Sequence, residues 1–345
     1  MILSIYLIDM SDIKCKEYSI FFDYLRVFAI LGVVAVHCAY SFPLPLFLKE
    51  VMYQGSACVQ IFFVMSAYLG CAYFYRPGAS VFGYYKKRAF RILPIYYTAI
   101  VLAMVYIEVF RGGTQPDDWG LGWLRYFLGL NTLLPSNCFG DWNNCFGFWA
   151  MGCFLFFYAV MPLIIKCVVC YRTSVVFFVI CWGVSFLLPQ IENIDLSLVY
   201  MSPLFQMQYF ALGVVAFYAV REQKQSLAII LMLLIALLPH SLNGNPMVFA
   251  LLSGVAIMAV KNEDLMIKHA SHRVLKFLSK YSFHIYLTHG IALSVSCELA
   301  KVYIEGSRLC YYIFMLFIAT VLTVLLCMCL EIVQRFSLKI FERKS

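Results

Sequence analysis

Long apolar runs broken by short polar connections dominate the chain. They lie near 20–41, 51–75, 92–110, 146–170, 174–190, 200–220, 226–240, 246–261, 281–298 and 309–333. A helix needs ~20 apolar residues to cross the hydrocarbon core of a bilayer, and its backbone groups must be satisfied within the segment. The pattern therefore predicts an all-α, polytopic integral membrane helix bundle of about ten transmembrane helices. Residues 1–19 read as a short N-terminal segment, 20–333 as the ten-helix membrane domain with an outer loop over 111–145, and 334–345 as a tail. No basic stretch precedes the leading apolar residues and no small-residue cleavage site follows them, so the first run reads as the insertion signal itself.

Composition agrees with the pattern. Of 345 residues, 63% are hydrophobic and 13% charged, against ~25% charged in a soluble domain. The formal net charge of +8 does not mark a nucleic-acid binder, because the basic residues form no continuous patch beside a stacking platform. They sort by topology instead. With the N-terminus inside, twenty Lys and Arg fall in cytoplasmic connections and five, Lys49, Arg111, Arg125, Lys301 and Arg308, fall outside. By the positive-inside rule this bias supports ten spans and places both termini in the cytoplasm.

Fourteen cysteines raise the question of metal and redox chemistry. Nine lie in apolar runs, where a free thiol behaves as a small hydrophobe. Cys167 and Cys170 form a CxxC, but no second pair stands at zinc-ligand spacing and no thioredoxin-like pattern surrounds them, so the spacing reads as chance. No metal site is expected. Cys138 and Cys145 flank a polar stretch of the outer loop, where a disulfide can persist. Trp119, Trp123 and Trp142 of the same loop suit a membrane interface.

Ionisable residues within spans are costly and each is a functional hypothesis. The first run holds Asp23, Arg26 and His37. Arg26 and His37 are eleven positions apart, which puts them within about 20° of one helix face and about 16 Å apart along it. Asp23 is placed to pair with Arg26. These two also read as anchors at the membrane surface. His37 reads either as a general base toward a hydroxyl or as a buried, neutral, hydrogen-bonded residue.

In Tyr84–Pro94 (YYKKRAFRILP), Lys86, Lys87, Arg88 and Arg91 read as topology determinants or contacts to anionic lipid. Arg88 and Arg91, at i and i+3, also present two guanidinium forks suited to phosphate oxygens, and with Lys87 make a candidate cofactor site. Pro94 reads as a kink or a helix start. In the ninth run, Ser282, Tyr286 and His289 are spaced to form one polar stripe. They are candidates to line a substrate cavity, and interhelical hydrogen bonding explains them equally. His284 reads as a structural residue nearer the interface.

Phe22-Asp23-Tyr24-Leu25-Arg26-Val27-Phe28-Ala29, continuing to His37, resembles the opening helix of the acyltransferase family 3 membrane proteins, with its Arg-x10-His signature. Phe62–Ser66 (FFVMS) is similar to that family's FFVxSG segment, Lys87–Pro94 to its RxxR motif, and Tyr209–Gly213 (YFALG) and Tyr281–His289 (YSFHIYLTH) to further family segments. The five stand in family order along nearly the whole chain. The resemblance implies a ten-helix core in the cell (inner) membrane of a bacterium. It implies transfer of an acyl group, usually acetyl from acetyl-CoA as co-substrate, to a hydroxyl of a cell-surface carbohydrate or lipid-linked glycan. It assigns Arg88 and Arg91 to the CoA phosphates, His37 and Arg26 to the catalytic seam, and His289 to the same cavity.

The chain departs from the family at two places. Many members read WSLxxExxFY where this chain has Trp149–Tyr158 (WAMGCFLFFY), with Phe154 in place of the carboxylate, and Ala67 replaces the usual Gly after Ser66. There is no room for the outer hydrolase-like domain of some relatives, so any glycan-assembly partner would be a separate protein. Two other classes remain open at this stage. One is a transporter or flippase of a lipid-linked sugar, using Arg26, His37 and His289 as a path. The other is a non-catalytic subunit of a glycan-assembly complex.

Overall fold

The computed structural model of the protein describes residues 19–41, 45–110, 121–132, 147–191, 196–236, 244–259, 271–303 and 308–343. Every regular element among them is helical. In order these are α1 (Ser19–Ser41), α2 (Leu46–Tyr53) and a 3₁₀ turn (Gln54–Ala57). Next come α3 (Cys58–Phe74), α4 (Val81–Phe110), α5 (Leu121–Leu128), α6 (Phe148–Cys167), α7 (Tyr171–Leu187) and α8 (Leu196–Met201). The series ends with α9 (Pro203–Arg221), α10 (Gln225–Ala236), α11 (Gly244–Ala259), α12 (Ser271–Tyr303) and α13 (Arg308–Arg343).

Seven stretches of the described residues are long and apolar enough to cross a membrane: 21–40, 46–74, 81–110, 148–167, 171–190, 196–221 and 310–337. The other three predicted runs also fall on helices. Two are the shorter apolar α10 and α11. The third is α12, whose hydropathy is lowered by polar residues that point inward: Ser279, Ser282, His284, Thr288, His289 and Ser296 are all buried. The hydroxyls of Ser282, Thr288 and Ser296 donate to carbonyl oxygens of the preceding turn, those of Ser279, His284 and Leu293. Spending each donor on the helix's own backbone makes these side chains tolerable in an apolar interior.

Contacts between side chains fix the relative sense of the helices. Phe22 meets Tyr68, and Gly32 meets Cys58, so α1 and α3 run antiparallel. Tyr85 reaches Ala159 while Tyr96 packs on Phe148, so α4 and α6 are antiparallel. Gln60 bonds Gln206 and Tyr68 packs on Phe217, making α3 and α9 parallel. Asp23 pairs with Ser279 and His37 faces His289, making α1 and α12 parallel. Lys280 pairs with Glu331 and Cys297 lies against Tyr311, so α12 and α13 are antiparallel. In these five pairs, predicted spans an odd number of steps apart are antiparallel and those an even number apart are parallel.

Small residues set the closest approaches, as expected where helices associate by packing in lipid. A Cβ added at Gly55 would stand 2.0 Å from the carbonyl oxygen of Gly32, and one added at Gly213 would stand 2.2 Å from that of Val64. The first contact seats α1 against the 3₁₀ turn. The second joins α9 to α3, where Ala67 packs opposite Gly213, so the methyl group that replaces the family's glycine is accommodated by a glycine across the interface.

Two helices extend beyond the predicted apolar runs, and because α4 begins at Val81, Pro94 does not start it. Pro94 lies inside α4, and its carbonyl accepts a hydrogen bond from Thr98 Oγ1 at 2.8 Å. The last helix continues past residue 333, and Gln334 and Ser337 donate to the carbonyls of Arg91 and Phe90 on α4. Residues 1–18, most of the outer loop and with it Cys138 and Cys145 lie outside the described residues.

Gly55→Ala should lower stability by roughly 1–3 kcal/mol, the usual cost of forcing an extra carbon into a packed interface. Thermal unfolding of the purified protein in nanodiscs measures it.

Candidate active site

The first cluster gathers where α1 begins. The Asp23 carboxylate is 2.9 Å from Arg26 Nη1, one turn away on the same helix. It also accepts a hydrogen bond from Ser279 of α12. The pair is only partly exposed, so each partner lowers the cost of keeping the other in an apolar setting. Arg26 is in turn within electrostatic reach of Arg88 and Arg91, which α4 brings to the same place. The Arg88 guanidinium lies 4.8 Å from the centre of the Tyr158 ring and 5.5 Å from that of Tyr84. These cation–π contacts offset part of the charge. Tyr158 OH is 3.4 Å from Ser66 Oγ. Three arginines from two helices therefore converge beside one carboxylate, a surplus of positive charge suited to a phosphorylated ligand.

Lys87 does not join them. Its ammonium lies 5.3 Å from the centre of the Tyr73 ring, and Lys87 itself is exposed. The Arg88–Arg91 spacing thus selects one helix face, and Lys87, one position away from Arg88, lies off it.

The second cluster lies further along α1. The rings of His37 and His289 are 4.8 Å apart at an angle of 62°, and Tyr286 packs 5.9 Å from His289. His289 is 2% exposed. Its Nδ1 is 3.0 Å from the carbonyl oxygen of Ile285, an atom that only accepts, so Nδ1 carries the proton. Nε2 then holds a free lone pair, and it has no hydrogen-bond partner among the described residues. A buried imidazole with one nitrogen tied to the backbone and the other unengaged is prepared to take a proton. Tyr286 is held by its hydroxyl, which donates to Gly147 O at 2.9 Å. The neighbouring Gly147 adopts φ +65°, a conformation open to glycine at little cost. Between the two clusters α1 presents the buried Ile30 and Val33, and α12 presents Ser282.

The predicted residues thus form two groups on one seam between parallel helices: Asp23, Arg26, Arg88 and Arg91 at one end, His37, His289 and Tyr286 at the other. Ser282 lies between and spends its hydroxyl on its own helix. His284 is 3% exposed and sits within electrostatic reach of Glu331 and Lys280. Phe154 packs among Phe63, Phe210 and Tyr158, with ring centres 4.8 to 6.0 Å away. The site of the family's usual carboxylate is therefore an aromatic cluster. Cys167 and Cys170 are free thiols.

Sequence reasoning missed Ser279, Tyr158 and a buried amide network. Gln60 Nε2 donates to Tyr200 OH at 3.1 Å and to Gln206 Oε1 at 3.2 Å, and Gln206 Nε2 donates to the carbonyl of Tyr200. Gln60 and Gln206 are 0% exposed. Uncharged glutamines within apolar runs were the available signal. Among the described residues no group of three or more His, Cys, Asp or Glu is placed to hold a metal ion.

Comparison with known families gives one result. The model of acyltransferase family 3, described as an acyltransferase domain, matches residues 19–330. No curated protein and no solved structure matches the chain.

Asp23→Ala should destabilise the protein by roughly 1–3 kcal/mol, because Arg26 loses its charged partner, whereas Asp23→Asn, which keeps an acceptor, should cost less. Unfolding curves of the two variants in one lipid composition provide the comparison.

Proposed function

On the premise that the chain belongs to acyltransferase family 3, we propose that this membrane acyltransferase moves an acetyl group from acetyl-CoA to a hydroxyl of a cell-surface carbohydrate or lipid-linked glycan precursor. The observation that carries the reading is the placement of the facing His37 and His289 on the same seam as Arg26, Arg88 and Arg91. Arginines meet the CoA phosphates, and imidazoles meet the hydroxyl that is acylated.

The two groups are about 16 Å apart along α1. With the nucleotide held at the arginines, the pantetheine arm lies along the seam and delivers the thioester to the histidines. The acceptor hydroxyl gives its proton to the free imidazole nitrogen as its oxygen attacks the thioester carbonyl carbon. The C–S bond then breaks and CoA leaves as a thiolate that recovers a proton. His289 Nε2 is the better placed base, because the backbone fixes its tautomer. His37, across the ring contact, orients or shares that proton. No step uses a metal.

The bundle is read as ten crossings with both termini cytoplasmic, in the cell membrane of a bacterium. Supporting this are the alternation of helix sense and the basic bias of alternate connections. The arginine end then faces the cytosol, where acetyl-CoA is found, and separate glycan-assembly proteins supply or receive the acceptor.

Radiolabelled acetyl-CoA should bind the purified protein in nanodiscs, and Arg88→Ala/Arg91→Ala should weaken binding by at least about tenfold, the loss of two charge-assisted contacts. Failure of the folded wild type to bind would overturn the donor assignment. His37→Ala and His289→Ala should each retain binding and lose transfer.

A further inference from the structure

The amide network beyond the histidines is built unlike a structural clasp. Gln60 Nε2 is used twice, toward Tyr200 and Gln206, while Gln60 Oε1 is buried with no hydrogen-bond partner among the described residues. A buried acceptor left unmatched costs free energy, and a clasp between helices would turn both ends of the amide toward partners. The network adjoins the second cluster. The ring of Tyr286 is 6.3 Å from that of Phe62, two positions from Gln60 on α3, the ring of Tyr200 is 5.7 Å from that of Trp149, two positions from the Gly147 carbonyl that holds Tyr286, and the rings of Tyr40 and His37 are 6.4 Å apart.

Among the described residues, Gln60 Oε1 and His289 Nε2 on this patch are therefore buried without a hydrogen-bond partner. Both accept hydrogen bonds and neither donates: a carboxamide oxygen has no hydrogen, and His289 carries its proton on Nδ1. A group that satisfies them must bring donors. The acetyl thioester brings none, since its carbonyl only accepts. A molecule with several hydroxyls brings one for each.

We propose that Gln60 Oε1 and His289 Nε2 form a two-point hydroxyl-binding subsite for a polyhydroxylated acceptor, Gln60 receiving a hydroxyl that is not acylated while His289 receives the one that is. This rests on the acyltransferase reading above and adds to it a residue that positions the acceptor and selects for sugars. A mono-alcohol satisfies one of the two atoms and leaves the other bare.

The test separates donor from acceptor. The full chain and its variants are expressed in host cells, and alkali-labile acetate on the envelope glycans is measured. The same proteins are purified into nanodiscs for acetyl-CoA binding and thermal unfolding. Gln60→Leu should reduce glycan-bound acetate roughly tenfold, the equivalent of one lost hydrogen bond to a buried acceptor, with acetyl-CoA affinity unchanged. Gln60→Glu, which keeps an acceptor oxygen, should recover part of the transfer. The inference is overturned if Gln60→Leu transfers like the wild type. It is also overturned if Gln60→Leu and Gln60→Glu fail equally with matching losses of stability, because Gln60 then serves packing alone. A wild type that neither binds acetyl-CoA nor acetylates glycans would instead remove the acyltransferase reading, and the subsite with it.

Discussion

A charged or hydrogen-bonding group inside a bilayer has no water to turn to, so it must find its partner within the protein. That constraint organises this bundle around the contact between α1 and α12. Arg26 is held by Asp23, Asp23 by Ser279, and fourteen residues further along α1 the ring of His37 meets that of His289. These contacts are separated by fourteen positions on one helix and ten on the other, so the helices lie side by side in the same sense. Parallel packing of helices so distant in sequence requires the intervening chain to leave and return, and the remaining helices fill that space.

The same constraint explains how the chain tolerates its departures from the family pattern. Ala67 brings a methyl group to a tight crossing, and Gly213 opposite leaves room for it. Phe154 stands where many relatives carry a carboxylate. The structure packs it among Phe63, Phe210 and Tyr158, so the position contributes aromatic packing. The nearby Arg88 charge is balanced instead by the faces of Tyr84 and Tyr158, an arrangement that leaves more positive charge available to a ligand than an internal ion pair would.

The last helix does more than close the bundle. Glu331 accepts from Lys280 at 2.6 Å, from Arg335 at 2.8 Å and from Tyr281, which ties α13 to α12. One turn on, Gln334 and Ser337 reach the backbone of α4 at Arg91 and Phe90. The helix carrying the paired arginines and the helix carrying His289 are thereby fixed to a common support. For the proposed reaction this matters because the two groups serve opposite ends of one extended donor, and a change in their separation would carry the thioester away from the histidines.

Apolar run length determined the all-helical membrane class and located every described long helix, since burying a run of that length in lipid leaves the backbone no alternative to helix. Helical spacing also placed Arg26 with His37 on one face, paired Asp23 with Arg26, and set Arg88 beside Arg91, because residues three, four or eleven apart share a side whatever surrounds them. The limits of sequence appear where partners are distant. Lys87 is one position from Arg88 and points elsewhere; His284, five from His289, is buried against a different helix; Gln60 and Gln206 are 146 positions apart and meet within hydrogen-bond distance. Such pairings depend on which helix faces which, and that is settled by glycine contacts, buried polar groups and the sense of each crossing, acting together across the whole bundle.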